Sequence, residues 1–402
     1  MMKRQSKTAV FVERLKTIFG LLMMAGMAYV FTHYLDADIG VVVCAFLILA
    51  PLISAVLAKL ASNQIHAEFK TPDYLTKGRH FQADVTFYSK SKLPIPFVRL
   101  ELKPDLNFVQ DDSRTVQSAM IFDEPVHLEI GMTAKYAGCG YISVDTLTVS
   151  DYLGLFTFPV RNIPDSMKIG VIPAIPSLTG AGVMLHTVSD AVLTMDEEEE
   201  ETSASFTSQT TPGYVHRDYI PGDNLKRINW KLSAKRNRLM VRMDESASAV
   251  RPALVFDFHT EGDEDTLKRR ETLIEGALGF LSLLVKQGVP CSLRYASEGT
   301  WKCLILENED AVESAAVELA TADFRNDGNR IDLSVMSERA GAYLVYSTQP
   351  DAVLSEQLKQ LHDKGYVACV VTELPEEQMA ILSTTDAVWR LDEDFAMNAV
   401  QK

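Results

Sequence analysis

Two long apolar stretches at the start of the chain constrain its fold more than any other feature. Residues 17–35 and 39–58 contain no Asp, Glu, Lys or Arg. Each is long enough to cross a hydrocarbon core of about 30 Å as a helix rising about 1.5 Å per residue. A short acidic turn at residues 36–38 separates them. We predict a transmembrane helical hairpin within residues 1–60, in preference to buried soluble helices or a cleavable signal peptide.

The charges that flank these stretches predict their orientation. Basic residues lie before the first stretch and after the second, and the connecting turn has none; they are Lys3, Arg4, Lys7, Arg14, Lys16 and Lys59. Basic flanks favour the cytoplasmic side of a membrane. We therefore expect a cell-membrane protein with two spans, in which both termini and everything after residue 60 lie in the cytoplasm.

Composition limits the classes of function. The 402 residues include 54 acidic and 39 basic side chains, and the net charge of −15 argues against a nucleic-acid partner, which requires broad basic surfaces. Five cysteines without a Cys-x-x-Cys pair support neither a disulfide framework nor a structural zinc site. We expect free thiols in a reducing compartment.

Residues 64–180 alternate apolar and polar side chains with a period of two, which is typical of half-buried strands. The alternation is clearest in Phe81–Ser89 and Tyr141–Ser150. Further candidate strands, separated by Gly and Pro turns, are Gln64–Phe69, Val98–Leu102, Thr115–Phe122, His127–Thr133 and Lys168–Ile172. Many short strands at this spacing predict an all-β, immunoglobulin-like sandwich.

A stretch rich in Ser, Thr and Glu follows at residues 181–212. It contains the acidic run Asp196–Glu201. Because like charges repel and the stretch offers little to bury, we predict a mobile linker. In the alternative, the acidic run docks onto a basic surface of the same chain.

Residues 213–245 form a basic segment in this acidic chain, with eight Lys or Arg against four Asp or Glu. Pro221-Gly222 predicts a tight turn. Asp223 is then placed to cap a helix over Asn224–Lys235, and Leu239–Val241 predicts a strand.

Three interpretations of the basic segment remain open. In the first, its arginines staple two domains through ion pairs within the chain: Arg217, Arg227 and Arg236 with Asp218, Asp223 and Asp244. In the second, the guanidinium groups bind phosphate or an acidic partner. In the third, the segment carries catalysis. We favour the first two, and we expect Trp230 to be a core or interface anchor.

Eight positions of the basic segment resemble the signature of a bacterial family, the domain of unknown function fifty-eight. They are Tyr219, Pro221, Gly222, Asp223, Arg227, Asn229, Trp230 and Arg236. Asp151–Phe156 resembles a second motif of that family, and the likeness extends over essentially the whole chain. It implies a membrane protein that works with a MoxR-type AAA+ ATPase and neighbouring membrane proteins in assembling other complexes, with no established enzymatic activity.

Residues 250–395 alternate buried strands with helices. The predicted strands are Ala253–Phe256, Pro290–Tyr295, Lys302–Leu306, Ala342–Tyr346 and Tyr366–Val371. The predicted helices are Thr266–Gln287, which stops at Gly288, and Ala311–Ala320, Ala352–Lys364 and Pro375–Ser383. This alternation predicts an α/β domain with a parallel, doubly wound sheet. It resembles a von Willebrand A-like domain.

Asp257 ends the first of these strands, where von Willebrand A domains hold Mg²⁺ with Asp-x-Ser-x-Ser. The sequence here is Asp257-Phe258-His259-Thr260-Glu261, so both serines are missing. Because hard oxygen ligands at fixed spacing define such a site, we predict a degenerate metal-site position and no cofactor. Asp257 would instead pair with a residue of the basic segment.

Motifs for other chemistry are missing: the sequence has no P-loop, no Gly-x-Ser-x-Gly elbow and no His-Glu-x-x-His. We therefore expect a membrane-anchored, non-enzymatic adaptor or assembly factor. One alternative is an enzyme that acts on a phosphorylated or cell-wall substrate through Asp223 or Asp257. The other is a module that binds anionic lipid through the basic segment.

Overall fold

The structure, a computed structural model, divides into two compact units: Met1–Ile172 with Leu319–Thr321, and Pro173–Glu318 with Ala322–Lys402. The residues that it describes are 7–34, 37–89, 95–111, 115–120, 125–163, 165–205, 211–218, 228, 230–236, 238–245, 251–258, 263–324, 340–373 and 381–400.

Two helices open the first unit. Helix α1 spans Lys7–Tyr34 and α2 spans Ala37–Ser62. Within the described ranges, Val41–Ser62 is long and apolar enough to cross a membrane, and Ile18–Tyr34 is apolar but shorter. A helix near the start of the chain therefore has the length and composition of a membrane anchor. The arrangement as two spans stays a prediction.

Strands fill the rest of the first unit and form two sheets, ordered β1-β3-β7-β5 and β2-β10-β8-β4-β6, with β9 paired to β8. Their bounds are β1 Ile65–Lys70, β2 Tyr74–Thr76, β3 His80–Ser89, β4 Ile95–Pro104, β5 Phe108–Gln110, β6 Thr115–Met120, β7 Val126–Ala134, β8 Gly138–Ser150, β9 Thr157–Pro159 and β10 Met167–Ile172. The ladders are antiparallel except between β2 and β10.

Alternate side chains of both sheets form one buried core. In β3 every second residue from Phe81 to Phe87 is buried, and the residues between them are partly or fully exposed. Leu100 of β4 and Ile169 of β10, from the other sheet, belong to the same core. The period of two therefore arises because each sheet has one face on this core. The prediction of a β-rich region built from sheets is confirmed.

The prediction of a mobile linker at residues 181–212 was wrong for most of that stretch. Helix α3 spans Gly182–Ser205, in the second unit. Met184, Leu185 and Val188 are buried, so this helix has an apolar stripe at helical spacing. The Ser, Thr and Glu content concealed that stripe, although Glu is itself a good helix former.

The second unit contains a seven-stranded sheet with the order β15-β14-β13-β16-β17-β18-β19. Its strands are β13 Ala253–Asp257, β14 Cys291–Ser297, β15 Thr300–Leu306, β16 Ala342–Ser347, β17 Tyr366–Val371, β18 Ala387–Leu391 and β19 Met397–Val400. The helices α5 Glu264–Lys286, α6 Glu309–Thr321 and α7 Ala352–His362 lie between the strands in sequence.

This sheet is mixed, which corrects the prediction of a parallel one. Strands β13, β14, β16, β17 and β18 pair in parallel, but the two edge strands β15 and β19 run antiparallel to their neighbours. The two residues between β14 and β15 allow only a hairpin, because a parallel crossover requires a dozen or more residues. The predicted helix Pro375–Ser383 falls mainly outside the described residues, and Ile381–Thr384 forms a 3₁₀ turn.

Helix α5 closely approaches the backbone of the segment that precedes α3. A Cβ atom at Gly279 would lie 2.6 Å from the carbonyl oxygen of Pro176, in the same unit. We expect Gly279→Ala to destabilise this unit by about 1–2 kcal/mol, because overpacking of about 1–3 kcal/mol outweighs the helix propensity of about 1 kcal/mol that alanine adds. Chemical denaturation of the full chain measures this. Gly182→Ala in α3 is the control, since nothing lies within 4 Å of that position and a neutral effect is expected.

Candidate functional site

The order of the strands defines where a site is expected in the second unit. From β13 the chain passes through α5 to β14 on one side, and after β15 it passes through α6 to β16 on the other side. The carboxyl ends of β13 and β16 therefore flank the point where the winding direction reverses. Open α/β sheets bind their ligands at such a point.

Asp257 lies at that point and is fully buried. Its Oδ2 accepts a hydrogen bond of 3.0 Å from the hydroxyl of Ser347, the last residue of β16. Its main-chain carbonyl accepts a bond of 3.3 Å from the amide of Thr348. Side chain and main chain of Asp257 thus tie the ends of β13 and β16 together.

Aromatic side chains surround the end of β13. The rings of Phe256 and Phe258 stack at 4.7 Å, and Phe324 meets Phe258 edge-on at 5.3 Å. The guanidinium of Arg270, also buried, lies 5.8 Å from the centre of the Phe324 ring. Asp257 therefore lies in a packed interior of this unit.

The residues that the structure describes do not fit a bound Mg²⁺. Asp257 directs one oxygen to Ser347, and its side chain is closed to solvent. Among the described residues, no group of three or more His, Cys, Asp or Glu side chains is placed to hold a metal ion. A magnesium site would need several oxygen ligands around an accessible position. His259 and Glu261, which replace the two serines, lie outside the described residues.

The buried cysteines of this unit are poor nucleophiles. Burial raises the pKa of the Cys291 thiol to about 12. Burial also raises the pKa of Cys369, and the nearby charge of Asp257 raises it further. Because the thiolate is the reactive form, both residues stay protonated and unreactive near neutral pH.

This difference in burial predicts a graded thiol reactivity. At pH 8 we expect Cys303, which is exposed, to react with a maleimide, whereas Cys291 and Cys369 react only after denaturation. Mass spectrometry of peptides from the labelled protein measures the modified fraction. Rapid labelling of Cys369 in the folded protein would contradict the packed site around Asp257.

An open cleft of about 720 Å³ lies at the same edge of the sheet. Its lining residues come from α5 and from the segments around the ends of β17 and β18: Asp265, Lys268, Arg269, Thr272, Thr372, Glu373, Arg390, Leu391, Asp392 and Glu393. The three basic residues are already paired: Arg269 with Glu373 and Lys268 with Glu393, each at 2.7 Å, and Arg390 with Asp392 at 3.0 Å. The cleft therefore offers balanced charge and no strong preference for an anion.

The basic segment forms a two-stranded ribbon with one short helix. Strand β11 Thr211–Asp218 pairs antiparallel with β12 Met240–Glu245, and α4 spans Trp230–Arg236 between them. The buried hydroxyl of Ser233 accepts a hydrogen bond of 2.8 Å from the amide of Met240. This bond fixes α4 against the start of β12.

Helix α4 and the residues just after it combine an exposed indole with positive charge. Trp230 is 64% exposed. Four cations nearby in sequence are exposed as well: Lys231, Lys235, Arg236 and Arg238. Residues 228–240 contain no Asp or Glu. We call Trp230 and these four residues the basic face.

The structure changes several expectations for the signature residues. Helix α4 begins at Trp230, and Ile228 forms a β-bridge, so a continuous helix over Asn224–Lys235 was predicted wrongly. Leu225, Ile228 and Leu232 have helical spacing, but Ile228 is buried in a bridge instead. Trp230 is exposed, which excludes a core anchor. Six signature positions lie outside the described residues: Tyr219, Pro221, Gly222, Asp223, Arg227 and Asn229.

The basic segment and most of the α/β fold match a known family model. Residues 215–378 match the family described as "Protein of unknown function DUF58". This part of the chain belongs to the DUF58 family. The match covers the signature positions and β13 to β17, but neither the apolar helices nor the β-sandwich, so it is narrower than the resemblance suggested.

Several solved structures are similar to part of this chain. They include a fragment of Escherichia coli alpha-2-macroglobulin, with 17% identity, a TM-score of 0.24, and coverage of 29% of this chain and 18% of that one. A cohesin module from a Clostridium perfringens family 33 glycoside hydrolase shows 11% identity, a TM-score of 0.22, and coverage of 27% and 97%. No curated protein matches the sequence.

Sequence reasoning missed Ser347, which binds Asp257. The usable signal was a Ser-Thr pair directly after the predicted strand Ala342–Tyr346, because polar residues at the carboxyl ends of parallel strands meet at one edge. The described side-chain partner of Asp257 is Ser347. Its expected pairing with the basic segment stays a prediction, because Arg227 of that segment lies outside the described residues.

Proposed function

We propose that this protein is a membrane-anchored, non-enzymatic adaptor that binds an acidic segment of a partner protein through the basic face. The observation that carries the proposal is the exposure of Trp230 among four cations in the part of the chain that belongs to the DUF58 family. Trp and Arg are enriched among the residues that dominate binding energies at protein interfaces.

The contrast with Asp257 supports an adaptor over an enzyme. The carboxylate of Asp257 is buried and hydrogen-bonded to Ser347, so it is poorly placed for general acid–base catalysis. The basic face, in contrast, is exposed, and α4 is hydrogen-bonded to the start of β12 through Ser233. A pre-formed surface of this kind binds with little loss of conformational entropy.

The partner that we propose to test first is a MoxR-type AAA+ ATPase, because the family resemblance implies one. We further propose that the seven-stranded sheet is a von Willebrand A-like domain that no longer holds an ion. The chain would be anchored by α1 and α2 as two spans, with the basic face in the cytoplasm, as the basic flanking residues favour.

Capture from solubilised membranes tests this proposal. We expect the full chain to recover the ATPase, and the double variant Trp230→Ala/Arg236→Glu to recover at least about tenfold less, since loss of one hot-spot residue costs about 2 kcal/mol or more. Quantitative mass spectrometry of the bound fraction measures the ratio.

The matched control changes charge elsewhere. Lys70→Glu and Arg161→Glu replace exposed cations on the sandwich, and they should leave the recovery unchanged. The proposal would be contradicted if the Trp230→Ala/Arg236→Glu variant recovered as much ATPase as the control, or if the unaltered chain recovered none. Binding of the unaltered chain to anionic vesicles that weakens steeply with salt would favour the lipid alternative instead.

A further inference from the structure

One face of α2 is covered by the sandwich of its own unit. Pro51, Ser54, Ala58 and Ala61 are buried, and they recur every three or four residues along the last three turns of the helix. The opposite face remains exposed and apolar as far as Leu60. At this end of α2, one face therefore packs against the sandwich, and the opposite face exposes apolar side chains.

The turn after β8, residues 151–156, is fixed to α2 by a buried carboxylate. Asp151 Oδ2 accepts a hydrogen bond of 2.9 Å from the hydroxyl of Ser54, and that hydroxyl accepts a bond of 2.8 Å from the amide of Tyr152. Asp151 Oδ1 accepts a bond of 2.9 Å from the amide of Phe156, which closes the turn. Asp151 itself is fully buried. We call this arrangement the Asp151 clasp.

The Asp151 clasp leaves apolar side chains facing outward beside the helix. Tyr152 is 41% exposed and Leu153 is 51% exposed. Phe97, whose Cα pairs with that of Ser150 on the neighbouring strand, is 49% exposed. These three exposed apolar side chains lie at one end of the sandwich, beside the turn that is bonded to α2, and we call them the apolar tip.

The position of Ser54 along α2 sets the level at which the clasp meets this helix. Ser54 lies six residues before Leu60, or about 9 Å along the axis at 1.5 Å per residue. The clasp therefore meets α2 within its exposed apolar length, not beyond it. Lys59, whose Nζ lies 5.4 Å from the centre of the Phe158 ring, supplies a cation near this level. Aromatic and Lys side chains in this arrangement are typical of a membrane–water boundary.

We propose that the apolar tip formed by Phe97, Tyr152 and Leu153 inserts into the lipid bilayer beside α2, as a second membrane contact of the sandwich. The Asp151 clasp holds the tip at the depth of the bilayer boundary. The inference rests on the proposed membrane anchoring, because it requires α2 to lie in lipid. It adds a lipid-facing role for the segment 151–156, which the family match at residues 215–378 does not cover.

Lipid-borne quenchers test the proposal on the full chain. The partly accessible Cys44 and the exposed Cys303 are replaced by serine, and a fluorescent NBD maleimide is attached in separate variants to Leu153→Cys, Phe46→Cys and Val109→Cys. Phe46 is exposed on α2, and Val109 is an exposed apolar residue of β5 in the other sheet. Each protein is placed in phosphatidylcholine nanodiscs with and without phosphatidylcholine that carries a doxyl quencher near the headgroup.

The proposal expects the quencher to lower emission about twofold or more at positions 46 and 153, and to leave position 109 unchanged. Quenching at position 46 without quenching at position 153 overturns the insertion of the apolar tip but agrees with membrane anchoring by α2. Absence of quenching at position 46 overturns the membrane anchoring and the insertion of the tip. Phe97→Cys on the adjoining strand repeats the test if the Leu153→Cys variant does not fold, and the same quenching is expected there.

Discussion

Replacing Asp151 with alanine should destabilise the first unit by about 3 kcal/mol. The substitution removes the acceptor of the Ser54 hydroxyl and of the Phe156 amide at a site with no access to water. Each buried donor that loses its partner costs about 1–3 kcal/mol, and bonds to a charged acceptor are at the upper end. For a unit of this size, the loss corresponds to a fall of about 6–12 °C in Tm.

Thermal unfolding of the full chain in detergent measures the change, and hydrogen exchange of the peptide that contains residues 150–158 locates it. Asp145→Ala is the matched control, because Asp145 is exposed on the same strand β8 and should shift stability by less than about 0.5 kcal/mol. Ser54→Ala should cost about 1–2 kcal/mol, since Asp151 keeps its bond to Phe156. If Asp151→Ala behaved like Asp145→Ala, the clasp would not hold the turn to α2.

The sequence predicted the strands of the sandwich well because burial there follows a simple period. Phe81–Ser89 was predicted and β3 spans His80–Ser89; Lys168–Ile172 was predicted and β10 spans Met167–Ile172. The short strands β2, β5 and β9 were missed. Three residues each are too few to show alternation, and they exist because neighbouring strands offer hydrogen bonds.

The errors in the second unit have a different physical origin. Helix α3 was missed because its polar composition outweighed three buried apolar residues in the prediction. Strands β18 and β19 were missed because their sequences are short and follow residues that were assigned to a helix. The direction of β15 depends on the length of its connection to β14. A prediction based on apolar stretches alone does not take that length into account.

The site could be located from sequence only in part. Asp257 was placed correctly at the end of the first strand, because a polar residue after a continuous apolar run marks a carboxyl edge. Its environment depends on contacts distant in sequence, namely Ser347, Phe324 and Arg270. Similarly, the exposure of Trp230 depends on where α4 begins, and the apolar spacing of Leu225, Ile228 and Leu232 suggested an earlier start.

Replacing Asp257 with alanine should destabilise the second unit by about 3 kcal/mol. The side chain is fully buried, so its removal leaves a cavity and takes away the acceptor of the Ser347 hydroxyl. Asp257→Asn should cost less than alanine, because an amide oxygen still accepts that bond. Denaturant unfolding of the full chain measures each change, and Asp363→Ala at an exposed position of the same unit is the control.

A double-mutant cycle separates this structural role from a functional one. If Asp257 acts as a tie between β13 and β16, Asp257→Ala and Ser347→Ala should be coupled by about 1 kcal/mol or more, since they share one hydrogen bond. Added Mg²⁺ should leave the Tm of the unaltered chain unchanged. A rise in Tm with Mg²⁺ that Asp257→Ala abolishes would instead show that the carboxylate binds an ion. In that case the seven-stranded sheet would retain the metal chemistry that its altered spacing argues against.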